Sequence, residues 1–133
     1  MSQRDAFESV CAEVCASRGW RYASERIDVG VGGGGERSQG ISIEFFEFED
    51  REFVRLFTTI GNIEHINALR LISALRLNFG LPHGAMAVRG SDLVIVDTLM
   101  VSHPDPQEIG SMLNYLGETA DHFEKSIFGP DHH

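Results

Sequence analysis

Near the start of the chain, Phe7, Val10, Cys11, Val14 and Cys15 recur at i, i+3, i+4, i+7 and i+8, the spacing of an amphipathic helix. The pattern predicts a helix over about 3–18. Ser2 with Asp5 three residues on resembles a capping box at its start, and Gly19 suits the position after its last turn. Residues 20–31 read as a connector running into a short strand, Arg26 to Val31. Over 36–48, Ile41, Ile43 and Phe45 alternate with polar neighbours, which is a strand pattern. The charged turn Glu47-Phe48-Glu49-Asp50-Arg51-Glu52 joins it to a third strand, Phe53 to Ile60, so that the two form a long antiparallel hairpin.

Gly61-Asn62 then breaks the strand, and Asn62 is placed to cap a second helix over about 63–78. Its main apolar stripe is Ile66, Leu69, Ile72, Leu75 and Phe79, with Leu71 and Leu77 off it. A helix that is apolar on more than one face has more than one packing partner. Gly80-Leu81-Pro82-His83 ends this helix, and strands over 84–88 and 93–100 follow, joined by the tight turn Arg89-Gly90-Ser91-Asp92. The last strand is apolar on both sides: Val94, Val96 and Thr98 line one, and Leu93, Ile95 and Leu99 the other. A strand facing water on one side alternates instead, so both faces of the sheet are expected to be covered, one by the first and third helices and the other by the second helix, a second subunit or a bound peptide.

Asp105-Pro106-Gln107-Glu108 is a helix start, with Asp as cap, Pro in the first turn and Glu completing a capping box. The third helix runs to about Phe128 with Ile109, Met112, Leu113, Leu116, Ala120, Phe123 and Ile127 on one stripe, and Gly129-Pro130 stops it. The order is therefore α-β-β-β-α-β-β-α. It predicts an α+β domain with an antiparallel sheet of about five strands and three helices. One domain over 1–133 is expected from the length, with 130–133 as a tail in which His132 and His133 are either native or the remnant of a tag.

Composition narrows the function classes. A net charge of −9, with one lysine and scattered arginines, excludes a nucleic-acid partner, because phosphate binding needs clustered cations. The acidic balance serves solubility, or favours partners with basic segments. With no apolar run of membrane-spanning length and no signal-peptide pattern after Met1, the expectation is a cytoplasmic protein without membrane insertion.

Candidate chemistry is sparse. Cys11 and Cys15 lie four apart on one helix, where they share a face but are poorly placed to form a disulfide; they read as buried small hydrophobes in a reducing compartment. A zinc site would want two further ligands, and no compact Cys/His cluster supplies them. Gly30-Val31-Gly32-Gly33-Gly34-Gly35 formally matches the dinucleotide fingerprint, but that motif must open a helix, and a strand follows here, so a hairpin loop is the expected role. Asp97 interrupts an apolar strand and is either buried with a raised pKa or exposed near the strand end. His65, His83, His103 and His122 show no metal-ligand spacing, and no nucleophile motif is present. No catalytic residue, cofactor or metal is assigned; a small-molecule pocket near Asp97 and His83 is the weakest reading.

The run Leu75-Arg76-Leu77-Asn78-Phe79-Gly80-Leu81-Pro82-His83-Gly84-Ala85, then Leu93-Val94-Ile95-Val96-Asp97-Thr98-Leu99, together with the order of elements and the helix ending Glu118-Thr119-Ala120-Asp121-His122-Phe123-Glu124, resembles the YbjN-like and type III secretion chaperone-like superfamily. The likeness covers about 3–128. It implies a curved antiparallel sheet with helices packed on it, usually as a homodimer. It also implies a non-catalytic role: the secretion chaperones are small and acidic and hold an extended segment of a protein partner, while YbjN-like members are tied to bacterial stress or regulation. The alternative is a regulatory or scaffold domain contacting folded partners. Phe46 and Phe48, exposed aromatics on the strand over 36–48, are the candidate partner contacts; Leu71 and Leu77, on the off-stripe side of the second helix, are the candidates for dimerisation.

Overall fold

In the computed structural model, which describes residues 2–33 and 37–129, α1 (Gln3–Arg18) begins where the Ser2 side chain accepts a hydrogen bond from the Asp5 N–H. It ends at Gly19, whose φ of 73° is the left-handed conformation glycine adopts without a Cβ penalty. The chain then forms β1 (Arg21–Ala23), β2 (Arg26–Val31), β3 (Arg37–Phe48) and β4 (Arg51–Asn62). After the helical segment containing α2 (Ala68–Leu77) come β5 (Ala85–Arg89), β6 (Asp92–Met100) and α3 (Pro106–Phe128). The α+β class expected from the pattern is what the molecule has, with six antiparallel strands in the order β1-β2-β3-β4-β6-β5. The additional strand is β1, which carries no apolar alternation and exists by pairing: Arg21 lies opposite Asp28 and Ala23 opposite Arg26.

The β3–β4 hairpin closes on a two-residue turn, Glu49-Asp50, with φ of 51° and 64°. Positive φ at both central positions is the primed geometry whose twist matches the strands. Phe48 therefore faces Arg51, Phe46 faces Phe53 and Glu44 faces Arg55 in register. The glycine-rich loop leaves β2 through Gly32 and Gly33, with φ of 76° and 71°, and no helix follows it, since β3 begins at Arg37. Both flanks of the loop are held to α3: the Gly32 N–H donates to Glu118 Oε1 at 2.9 Å, and Arg37 forks onto Asp121 at 3.0 and 3.1 Å. Gly34 and Gly35, like the 130–133 tail with His132 and His133, lie outside the described residues.

α3 is the principal cover of the sheet. It buries Ile109, Leu113, Leu116, Ala120, Phe123 and Ile127 against Ile27, Val29, Ile41, Val54, Leu56 and Ile95. Gly117 lets it lie close, because a β-carbon there would stand 3.2 Å from Val29 and 3.3 Å from Val31. α1 packs beside α3 and adds Phe7, Cys11, Val14 and Cys15 to the same core.

The second helix departs from its expected form. Asn62 caps only a short 3₁₀ turn, Ile63–His65, and Ile66 is extended; α2 proper starts at Ala68, where the Asn67 side chain accepts from the Arg70 N–H at 2.8 Å. A second 3₁₀ turn, Asn78–Gly80, ends it. The Asn78 amide donates to Met86 O at 3.1 Å, and its oxygen accepts from Met86 N at 2.6 Å, so one side chain serves the outer edge of β5 as a further strand would.

Candidate interaction surfaces

Parity along the strands sorts the sheet into two unlike faces. Val54, Leu56, Thr58 and Ile60 of β4 point to the side of α1, α2 and α3; all three helices contribute to one core cluster there. Phe53, Arg55, Phe57 and Thr59 point the other way, together with Glu44, Phe46 and Phe48 of β3, Val94, Val96, Thr98 and Met100 of β6, and Ala87 and Arg89 of β5. Among the described residues, no helix contributes to this second face. Of the covers expected for this face, the second helix is ruled out, since α2 lies with α1 and α3 on the other side; Phe57 and Val94 are nonetheless buried here, outside the core cluster, among neighbouring side chains.

Those side chains form one connected set. Glu44 accepts from Arg55 Nη1 through Oε1 at 2.6 Å and from Arg89 Nη2 through Oε2 at 3.2 Å. The Arg55 guanidinium lies 4.0 Å from the Phe46 ring centre, and that of Arg89 4.7 Å from Phe57. Phe46 in turn stacks on Phe53, with centroids 5.6 Å apart and planes 22° apart. Both guanidiniums are therefore fixed by a ring on one side and a shared carboxylate on the other. Such stacking contributes about 0.5–1 kcal/mol at exposed sites. A shallow depression of about 270 Å³ opens beside Glu44, Arg55 and Arg89, floored by Phe57, Val94 and Val96. Phe46 and Phe48 both belong to this face; Phe48 is 60% exposed, while Phe46 is half-buried in the stack.

The second surface is the outer side of α2. Only Ala74 of this helix is fully buried, and Leu71 packs partly against the core beside it. The stripe Leu69, Ile72, Leu75 and Phe79, expected to face inward, is turned out: Leu69 is 76% and Phe79 100% exposed, with Ile72, Leu75 and Leu77 also open. The reversal follows from the anchors, since Leu71, Ala74 and Asn78 recur at i, i+3, i+7 and carry α2 onto β5. Of the two residues singled out for dimerisation, Leu77 is exposed and Leu71 is turned towards the core.

The remaining candidates sit apart. Cys11 and Cys15 are buried free thiols; burial, then the neighbouring Cys15 and Glu8, push Cys11 up to about 12, and burial raises Cys15 as well. Near them the buried Tyr22 hydroxyl has no hydrogen-bond partner among the described residues, and its pKa is also pushed up to about 12, first by burial. His83 packs edge-on to Tyr115 at 5.8 Å, and Tyr115 donates to the His83 carbonyl at 3.0 Å. The cavity beside them, about 240 Å³, is lined by Glu108, Ser111 and Met112, without Asp97. Asp97 is half-buried and accepts from the Thr98 N–H at 2.8 Å. Among the described residues, no group of three or more His, Cys, Asp or Glu side chains is placed to hold a metal ion, and no helix is long and apolar enough to cross a membrane. No protein-family model and no curated protein matches the chain, so the surfaces themselves carry the functional argument.

Proposed function

We propose that this chain is a non-catalytic protein-binding domain that pairs with a second copy through the outer side of α2 and holds a polypeptide partner, in the manner of type III secretion chaperones or YbjN-like proteins. The observation that carries the reading is the row Leu69, Ile72, Leu75, Leu77 and Phe79, open to solvent on one short element. Taking ~200 Å² for a fully exposed large apolar side chain, the row presents roughly 600 Å². A typical monomer shows no larger patch than about this, and two such patches facing one another reach about 1,200 Å², the lower bound for a specific interface. A ten-residue helix is also marginal by itself. Since α2 buries little of its own surface, covering the row would stabilise the helix as well as the pair.

Sedimentation of the purified chain tests this. A dimer is expected, together with a monomeric but folded Leu69→Glu/Leu75→Glu variant that keeps the wild-type circular dichroism. A wild-type chain that stays monomeric at every concentration, or a dimer that survives both substitutions, overturns pairing through α2.

A further inference from the structure

The open sheet face is charged differently from the rest of the molecule. In a chain of net charge −9, it carries Arg21, Arg26, Arg51, Arg55 and Arg89 against Asp28, Glu44 and Asp92. Arg26 is paired with Asp28 at 2.9 Å. Glu44 is a single carboxylate shared by two guanidiniums, and each of these keeps unused N–H donors. Arg51 makes no ion pair among the described residues.

We propose that this face is where the polypeptide partner lies, and that it selects an extended segment with acidic side chains at i and i+4 and an apolar one at i+2. The inference rests on the protein-holding reading above and names the class of partner. Its geometry comes from β4, where Arg51, Phe53 and Arg55 follow one another at every second position, about 6.8 Å apart. An extended peptide has the same repeat, so a segment laid along β4 presents its alternate side chains in step. The central apolar side chain meets the Phe46–Phe53 stack, bordered by Met100, which lies opposite Phe53 and is 45% exposed. The flanking carboxylates meet Arg51 on one side and the Arg55–Arg89 pair on the other. Because both members of that pair are already held by Phe46, Phe57 and Glu44, little side-chain freedom remains to be lost on binding.

Charge complementarity decides the occupant. Net charge alone points to a basic partner, but a basic segment on this face would meet an excess of arginine. A second copy placed face to face would set the arginines of one chain against those of the other.

The test measures fluorescence anisotropy of a labelled Glu-Ser-Phe-Ser-Glu peptide, flanked by Gly and Ser, against the full chain. Saturable binding is expected. It should weaken about tenfold in Arg51→Gln and in Arg55→Gln, fall with added salt, and persist in Arg26→Gln. The peptide with both Glu replaced by Lys should bind at least tenfold more weakly. Equal binding of the two peptides, or acidic-peptide binding untouched by both Arg51→Gln and Arg55→Gln, overturns the proposal. Assembly beyond a dimer that the peptide fails to dissolve also overturns it, by assigning the face to another copy. Sedimentation of the same samples separates the two readings: a dimer indifferent to the acidic peptide loses this partner class and keeps α2 pairing, and a monomer that binds it does the reverse.

Discussion

α2 and α3 start from the same kind of sequence and end in opposite positions. Both carry an apolar stripe at helical spacing and an amide or carboxylate cap, Asn67 and Asp105. α3 runs for 23 residues and buries eight of them; α2 runs for 10 and buries one. The difference is that α3 has the whole width of β2, β3 and β4 to lie on, whereas α2 lies chiefly against the edge strand β5. A stripe fixes that a helix forms; the surface available beneath it fixes whether the stripe is consumed. Where the surface runs out, the stripe is left open to solvent.

That contrast can be broken most sharply by truncating one leucine on each helix. Leu116, fully buried, is expected to cost about 3–5 kcal/mol as Leu116→Ala in urea denaturation. Leu69→Ala, removing a side chain that is 76% exposed, should change monomer stability by no more than ~0.5 kcal/mol. Comparable costs would mean that the outer side of α2 is already packed in the monomer. Next in size is Asn78→Ala, which strips both bonds from the Met86 backbone and should cost about 2 kcal/mol. If Asn78 is the latch, hydrogen exchange in this variant speeds up over α2 and β5 while α3 stays protected; uniform loss of protection would refute the latch.

An effect confined to high pH sharpens the packed side. The Cys11 thiol is raised from 9.0 to about 12, so the folded state keeps its proton where the unfolded chain has lost it. Stability from this group is complete below pH 9 and falls as pH rises from 9 towards 12, by up to about 1.4 kcal/mol per pH unit. Cys11→Ala should flatten that slope in denaturation curves taken across the interval, and an unchanged slope would show that Cys11 is not its source.

Much of this was legible beforehand, for identifiable reasons. α1 and α3 announced both ends through Ser2, Gly19, Asp105 and Gly129, and the β3–β4 hairpin did so through alternation and a charged turn. β1 was not legible, because Arg21, Tyr22 and Ala23 have no pattern apart from their partner strand. The orientation of α2 was hidden because Ala74, its one buried residue, is too small to register as hydrophobic signal, and because Asn62 and Asn67 are equally good caps five residues apart. On the sheet face, parity alone brought Phe46 and Phe48 forward. The Glu44–Arg55–Arg89 cluster needed the pairing of β4 with β6 and of β6 with β5, which joins residues distant in sequence.

The side-by-side packing of α1 and α3 has a consequence for synthesis. α1, carrying Phe7, Cys11, Val14 and Cys15 on one side, is synthesised before all the strands and α2, and the helix that shelters those residues follows them. The β3–β4 hairpin, whose contacts are local, can close while translation continues. α1 must wait until the strands, α2 and α3 have all been made. During that interval its two thiols are solvent-accessible and have not yet acquired the raised pKa that protects them from oxidation once α3 has docked.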